Sequence, residues 1–396
     1  MAIQEAPSGA VDPVEADVLA RVEALLRDHA NDDETTFLGA QFDAGLAWVH
    51  NAPGDGGLGL SPKLQEVVDD RLRRAGRAAN WQRNPMGIGM VGPTIAAHGT
   101  PEQRRAYLRR AWTAEDIWCQ LFSEPGAGSD VATLATRAVR DGDEWVVDGQ
   151  KVWTSLGHKA RYGLLIARTD PDVPKHRGIT AFLIDMRSPG VEVRPLRQMS
   201  GNAEFCEIFF EGLRVPDSAR LGEVGDGWRV AVTTLMNERV SIGGAVQPRG
   251  SGPIEGAVDA WYAYGHGDPA RRDELVRLWI EAEVLRLGNI RAQQLRERGT
   301  PGPEGSVLKL ASALLQQRIH AFTVDLLGAD GLLHPGYDLP QLEQGPVGAF
   351  LSSQSSTIAG GTSEIMRNIL GERVLGLPAE PRADKDLPWS QIPKSG

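Results

Sequence analysis

Cysteine is nearly missing from this chain: Cys119 and Cys206 stand alone in 396 residues. Two thiols cannot build a disulfide framework. Each lies in an apolar run, so they read as buried free thiols in a reducing cytoplasm. Long apolar stretches are missing too, since no run approaches the roughly 20 residues of a membrane span. Met1 to Pro13 lacks the basic and apolar regions of a secretion signal. There is no cationic surplus: 42 Lys and Arg face 52 Asp and Glu, for a net charge of −10. That argues against nucleic acid and anionic membrane as partners, because both want a basic face. The eight His are scattered, with neither His-Glu-x-x-His nor paired Cys, so no metal site is indicated. A Gly-x-Ser-x-Gly elbow is also absent, which excludes the common serine-hydrolase pattern.

What is present is a chain long enough for two or three domains, with the hydrophobic and charged fractions (41% and 24%) of a globular protein. Apolar residues at helical spacing predict helices over Val14–His29, Lys63–Arg77 (Ser61 as N-cap, Pro62 at the first position), Pro93–His98 and Thr100–Arg110. Thr100-Pro101-Glu102-Gln103 has the form of a capping box. Between Trp118 and Val215 the period changes to short runs broken by turns. Among these turns, Asp141-Gly142-Asp143 and Asp148-Gly149-Gln150 are hairpin signals. A compact antiparallel β-domain follows; no βαβ alternation points to a dinucleotide-binding parallel sheet. Helical period returns at Trp228–Ala245, Pro253–Tyr264, Arg271–Arg298, Gly305–Leu327, Pro346–Ser356 and Ser363–Leu375, ended by Gly376 and Pro378. The predicted fold is therefore a multi-domain α+β chain. A helical domain covers 1–116, an antiparallel β-domain 117–225, and a helical bundle 226–380. The tail, 381–396, reads as extended or mobile.

The stretch Leu121-Phe122-Ser123-Glu124-Pro125-Gly126-Ala127-Gly128-Ser129-Asp130 follows an apolar strand and breaks regular structure within a few residues. Its glycines let a ligand approach the backbone, and its hydroxyls and freed amides offer donors to a polar heterocycle or phosphate. An ordinary strand-to-loop turn fits the same composition. The decapeptide resembles the flavin loop of the acyl-CoA dehydrogenases. A second block, Trp145–Ser155, and a third, Gly360-Gly361-Thr362-Ser363-Glu364-Ile365, match that family in the same order and spacing.

The resemblance implies FAD held between the β-domain and the C-terminal helices, with electrons passed to an electron-transfer flavoprotein. By position, Gln120, Phe122 and Ser123 lie along the flavin, and Gly128 and Ser129 lie near the ligand and the flavin phosphates. Trp153 flanks the ring face opposite the substrate, and Ser155 bonds its reactive edge. Thr362 and Glu364 reach FAD within the same subunit. Dehydrogenating an acyl-CoA thioester to the trans-2-enoyl-CoA needs a carboxylate to take the C2 proton while flavin N5 accepts hydride from C3. Gly360 stands where many members carry that carboxylate, which leaves it only a backbone N–H for the thioester oxygen. The resemblance then assigns the base to Glu238 of Asn237-Glu238-Arg239, as in members with the base on a helix. Glu238 shares its helical face with Thr234, Leu235, Ser241 and Ile242, and Arg239 is a positioning residue. The family's inter-subunit FAD motifs are altered here to Gly265–Arg272 and Asp325–Gly331, so Arg271 or Arg272 would offset the acidic Asp in them. The implied assembly is a homodimer, a homotetramer or a heterotetramer with a related subunit, in the cytoplasm. An acyl-CoA oxidase using oxygen, or a non-catalytic partner subunit, are the alternatives. The acyl group is not legible, although the small residues in 83–93 permit a roomy pocket.

Overall fold

The computed structural model describes residues 12–77, 80–243, 247–265, 267–297, 302–333, 345–381 and 384–393. The chain divides into two compact units. The first is Met1–Cys119 with Lys159–Gly163; the second is Gln120–His158 with Leu164–Gly396.

The first unit is helical. Its helices are α1 (Pro13–Asp28), α2 (Glu34–Asp43), α3 (Leu64–Arg74), α4 (Gly92–His98) and α5 (Pro101–Trp112), with shorter turns between them. Val18, Val22 and Leu25 of α1 form a core with Phe37, Leu46, Val49, Val68 and Leu72. The capping box forms as the sequence predicts: Gln103 N donates to Thr100 Oγ1 at 3.2 Å, and Thr100 N donates to Gln103 Oε1 at 3.0 Å. Ser61 does not cap α3, which begins at Leu64 with Lys63 as an N-cap lacking any side-chain bond. Helix α2, absent from the sequence reading, is capped by the Asp33 carboxylate, which accepts from Thr35 N and Thr36 N.

One eight-stranded sheet, all of it in the second unit except the first two residues of β1 and of β4, is built from β1 (Trp118–Leu121), β2 (Arg137–Asp141), β3 (Glu144–Ser155), β4 (Tyr162–Arg168), β5 (Ile179–Asp185), β6 (Val191–Leu196), β7 (Phe205–Pro216) and β8 (Arg220–Leu221). Its order is β6-β7-β3-β2-β4-β5-β8, with β1 against β4. The β2–β3, β3–β7, β5–β8 and β6–β7 pairings are antiparallel. The β2–β4 pairing departs from the antiparallel expectation and runs parallel through Arg137 and Arg168. Gly142, at φ +63, supplies the positive φ that the two-residue β2–β3 hairpin requires. The other Asp-Gly turn does not form. Strand β3 runs straight through Gly149, which takes φ +148 at a bulge against β7. A Cβ there would meet Thr136 Oγ1 at 2.6 Å, so this glycine serves close packing and not chain reversal.

The C-terminal helices of the same unit are α6 (Gly227–Gly243), α7 (Pro253–Tyr264), α8 (Pro269–Glu297), α9 (Glu304–Leu326), α10 (Pro346–Ser353) and α11 (Ser363–Ile369). Helices α7, α8 and α9 share a core of Ile254, Ala257, Leu275, Leu278, Ile319 and Phe322. The predicted helix ends at Ala245 and Arg298 lie outside the described residues. Helix α10 stops at Ser353 and α11 at Ile369, earlier than predicted; a 3-10 turn (Gln354–Thr357) and a π turn (Leu370–Val374) follow them.

Residues 388–390, in the segment expected to be extended or mobile, are held in place. Trp389 N donates to Val173 O at 2.9 Å and Ser390 N to Pro171 O at 2.8 Å, and Pro388 bridges Pro174. Their partners lie about two hundred residues earlier in the chain, beyond the reach of any local pattern.

Candidate functional site

The loop after β1 is closed on itself, with Glu124 N to Ala127 O and Ala127 N to Glu124 O both at 3.0 Å. Phe122 is buried, Gln120 and Ser123 are half-buried, and Gly128 and Ser129 are exposed. Space is open where a side chain on Gly126 or Gly128 would project.

The pair that fixes this loop was not singled out from the sequence. Glu124, 8% exposed, accepts from Ala135 N at 2.6 Å, Thr136 N at 2.9 Å and Lys151 Nζ at 2.7 Å. Lys151, fully buried on β3, also donates to Phe122 O at 3.0 Å. Val152 N completes the attachment by donating to Ser123 O at 2.9 Å. Burial pushes the Lys151 ammonium down to about 8, against the pull of Glu124. Burial pushes Glu124 the other way, but Lys151, the Ala135 amide and the Thr136 side chain outweigh it and hold the carboxyl below its ordinary value. The available signal was a lone Lys leading into the apolar Val152 and Trp153 of a strand, because a buried charge demands a partner.

Two residues on, the pleat of β3 breaks. Its register against β7 slips between Lys151 and Thr154. Trp153 sits in that slip at φ +62, 60% exposed, with Phe205 edge-on at 6.1 Å. A left-handed backbone costs a non-glycine residue about 1–2 kcal/mol. The surroundings therefore hold the indole out of the core and beside the half-buried Ser155. Thr154 Oγ1 is buried without a partner among the described residues.

A second cluster gathers on the helices of this unit. Gly360 and Gly361 are both left-handed, at φ +67 and +97. Thr362 then caps α11, its Oγ1 accepting from Ile365 N at 3.2 Å. Lys309 of α9 donates to Gly361 O. Burial pushes the Lys309 ammonium down, while Glu364 and Glu238 act on it in the opposite sense. Glu238, Lys309, Glu364 and the glycine turn thus belong to one electrostatic neighbourhood, and Lys309 is a member the sequence reading missed. Glu238 is half-buried on α6, one turn after the fully buried Thr234. The side chains of Arg239, Ser241 and Ile242 lie outside the described residues. Glu364 is exposed, its carboxyl held low first by its own backbone amide and then by Thr362. The Ser363 hydroxyl is buried without a partner among the described residues.

Arg271 is the predicted residue found apart from both clusters. It lies 4.0 Å from Asp268 and 3.8 Å from Asp325, all three side chains being exposed. No described contact joins it to Trp153, Ser155 or the glycine turn.

Comparison with known proteins decides the family. Residues 119–213 match the acyl-CoA dehydrogenase middle domain, and residues 225–375 match the acyl-CoA dehydrogenase C-terminal domain. Acyl-CoA dehydrogenase IpdE1 of Mycobacterium tuberculosis is 36% identical over 85% of this chain and 86% of its own length. This chain belongs to the acyl-CoA dehydrogenase family. Acyl-CoA dehydrogenase FadE34 of Mycobacterium tuberculosis is 42% identical over 85% of this acyl-CoA dehydrogenase chain, which spans only 45% of FadE34. Among solved structures, the Tcur3481-Tcur3483 steroid ACAD superposes with a TM-score of 0.71 at 27% identity, over 93% of this chain and 97% of that one. The ChsE4-ChsE5 complex from Mycobacterium tuberculosis gives 0.67 at 29%, over 94% and 99%.

The residues present fit a flavin. A strained, solvent-facing indole at Trp153 offers a flat apolar wall, and the open space beside Gly126 and Gly128 offers room for a polar chain.

Proposed function

We propose that this chain catalyses FAD-dependent α,β-dehydrogenation of an acyl-CoA thioester to the trans-2-enoyl-CoA. The observation that carries the reading is the neighbourhood of Glu238, Lys309 and the left-handed Gly360-Gly361 turn. Bound FAD would supply the hydride acceptor for C3. The Glu238 carboxylate would take the C2 proton, and Arg239 would orient it. The Gly360 amide would donate to the thioester oxygen as charge develops there. Lys309 keeps the turn in place through Gly361 O and interacts electrostatically with Glu238. Gln120, Phe122, Ser123, Gly128, Ser129, Trp153, Ser155, Thr362 and Glu364 would hold the cofactor. The working domains for the site are 117–225 and 226–380, beside 1–116 and a tail from 381.

The assembly follows from a different observation. Val276, Ile280, Val284 and Leu287 make an exposed apolar stripe at four- and three-residue spacing along α8. We propose that a second acyl-CoA dehydrogenase subunit, identical or related, covers it. The related-subunit form draws support from the solved relatives that pair two named chains. An electron-transfer flavoprotein is the proposed electron acceptor, and a steroid-type acyl group the first substrate class to try.

The test is the visible spectrum of the purified protein, titrated without oxygen with straight-chain, branched and steroid-type acyl-CoAs. We expect a flavin band that bleaches with at least one class. Glu238→Gln should keep the band and slow bleaching by about 10²–10⁴-fold, the usual worth of a general base. Unchanged bleaching in that variant would remove Glu238 from the mechanism. Hydrogen peroxide release in air at the turnover rate would favour an oxidase instead.

A further inference from the structure

The segment leaving the flavin loop is bound on two sides. Inside, Arg168 Nη2 donates to Ala132 O at 2.6 Å and to Leu134 O at 3.4 Å. Outside lies chain from the far end of the sequence. Trp389 Nε1 donates to Thr133 O at 3.0 Å, and the Arg168 guanidinium lies 5.0 Å from the centroid of the Trp389 ring. Lys175, its side chain 10% exposed, closes the arrangement. Its Nζ lies 2.6 Å from Asp130, the last residue of the decapeptide, and 2.5 Å from Asp384. One ammonium therefore ties the flavin loop and the C-terminal segment to the same point.

We infer that residues 384–390 are a strap that positions the flavin loop, so that strap docking and FAD retention favour each other. The inference rests on the FAD reading above and adds residues that reading does not use. The outer turn of the loop, Pro125, Gly126, Gly128 and Ser129, is exposed, with open space beside both glycines. A ligand bound there must restrict this turn at the moment of binding, unless its exit is already fixed. The strap fixes that exit at Asp130 and Thr133. Trp389 and Asp384 touch neither Trp153, Ser155 nor the glycine turn in any described contact, so they are positioning residues.

Coupling of this kind is reciprocal. The full-length chain is prepared as apoprotein, and FAD binding is measured by quenching of flavin fluorescence. Amide exchange at 384–392 is followed with and without FAD. We expect FAD to slow exchange at the Trp389 and Ser390 amides. We expect Trp389→Phe, which keeps an aromatic ring and loses the indole N–H, and Asp384→Asn to raise the FAD Kd by up to about tenfold, the scale of one lost intramolecular hydrogen bond. The apoprotein melting temperature is recorded alongside. Trp389→Ala serves as the stronger variant and is read only if its apoprotein melts cooperatively. A strap with a purely structural role would lower the apoprotein melting temperature yet leave exchange at 389–390 indifferent to FAD, and that result would overturn the inference while the FAD reading stands. If the wild-type chain binds no FAD, the reading itself fails and the strap falls with it.

Discussion

An ammonium sealed inside a sheet is tolerable only while its counter-charge stays, and for Lys151 that counter-charge is Glu124. Glu124→Gln should lower unfolding stability by about 3–5 kcal/mol, the usual cost of stranding one member of a buried pair. Chemical denaturation near neutral pH checks it. The pH dependence has a definite sign. The folded Glu124 carboxyl lies below its ordinary value of 4.5. Its contribution is therefore complete above that value and is lost as pH falls through the folded one, so wild type and Glu124→Gln should converge in acid. Both residues stand inside the blocks that resemble the flavoenzyme family, yet their pairing was not legible. They are 27 positions apart, and nothing local says that a Lys in one strand meets a Glu in a loop beside another. Trp153 was legible as a residue but not as a conformation, because its left-handed φ is imposed by the register slip against β7.

Elements show the same division between local and distant causes. The α5 capping box and the bounds of α7, Pro253–Tyr264, could be read directly because cap, proline and apolar period all lie within a few residues. Asp148-Gly149 has the composition of a hairpin, but the glycine is needed where Thr136 presses on the strand. Gly149→Ala brings a Cβ to 2.7 Å from Thr136 Cα in a backbone region that L residues avoid. We expect a loss of about 1–3 kcal/mol, the range for overpacking, read by denaturant midpoint. The loss should appear in protein without flavin as much as with it, because the bulge precedes cofactor binding. The strap is the extreme case, since Trp389 and Thr133 are separated by 256 positions.

For the molecule as a whole, the order helices, sheet, helices was legible because the apolar period changes twice along the chain. The α8 stripe has no such reading, since its apolar positions suit an inner face as well as a shared one. If a second subunit covers it, wild-type protein should sediment at a multiple of the chain mass. Ile280→Glu with Val284→Glu should shift it to the single-chain mass or to a smaller assembly, with the secondary structure seen by circular dichroism unchanged. The scarcity of lysine has a practical side. The chain carries seven, and Lys151 is wholly enclosed behind the Glu124 loop. An amine-directed label can reach Lys151 only when that loop swings away. Its rate of labelling beside that of a surface lysine is thus a clock built into the protein, counting how often that loop comes open.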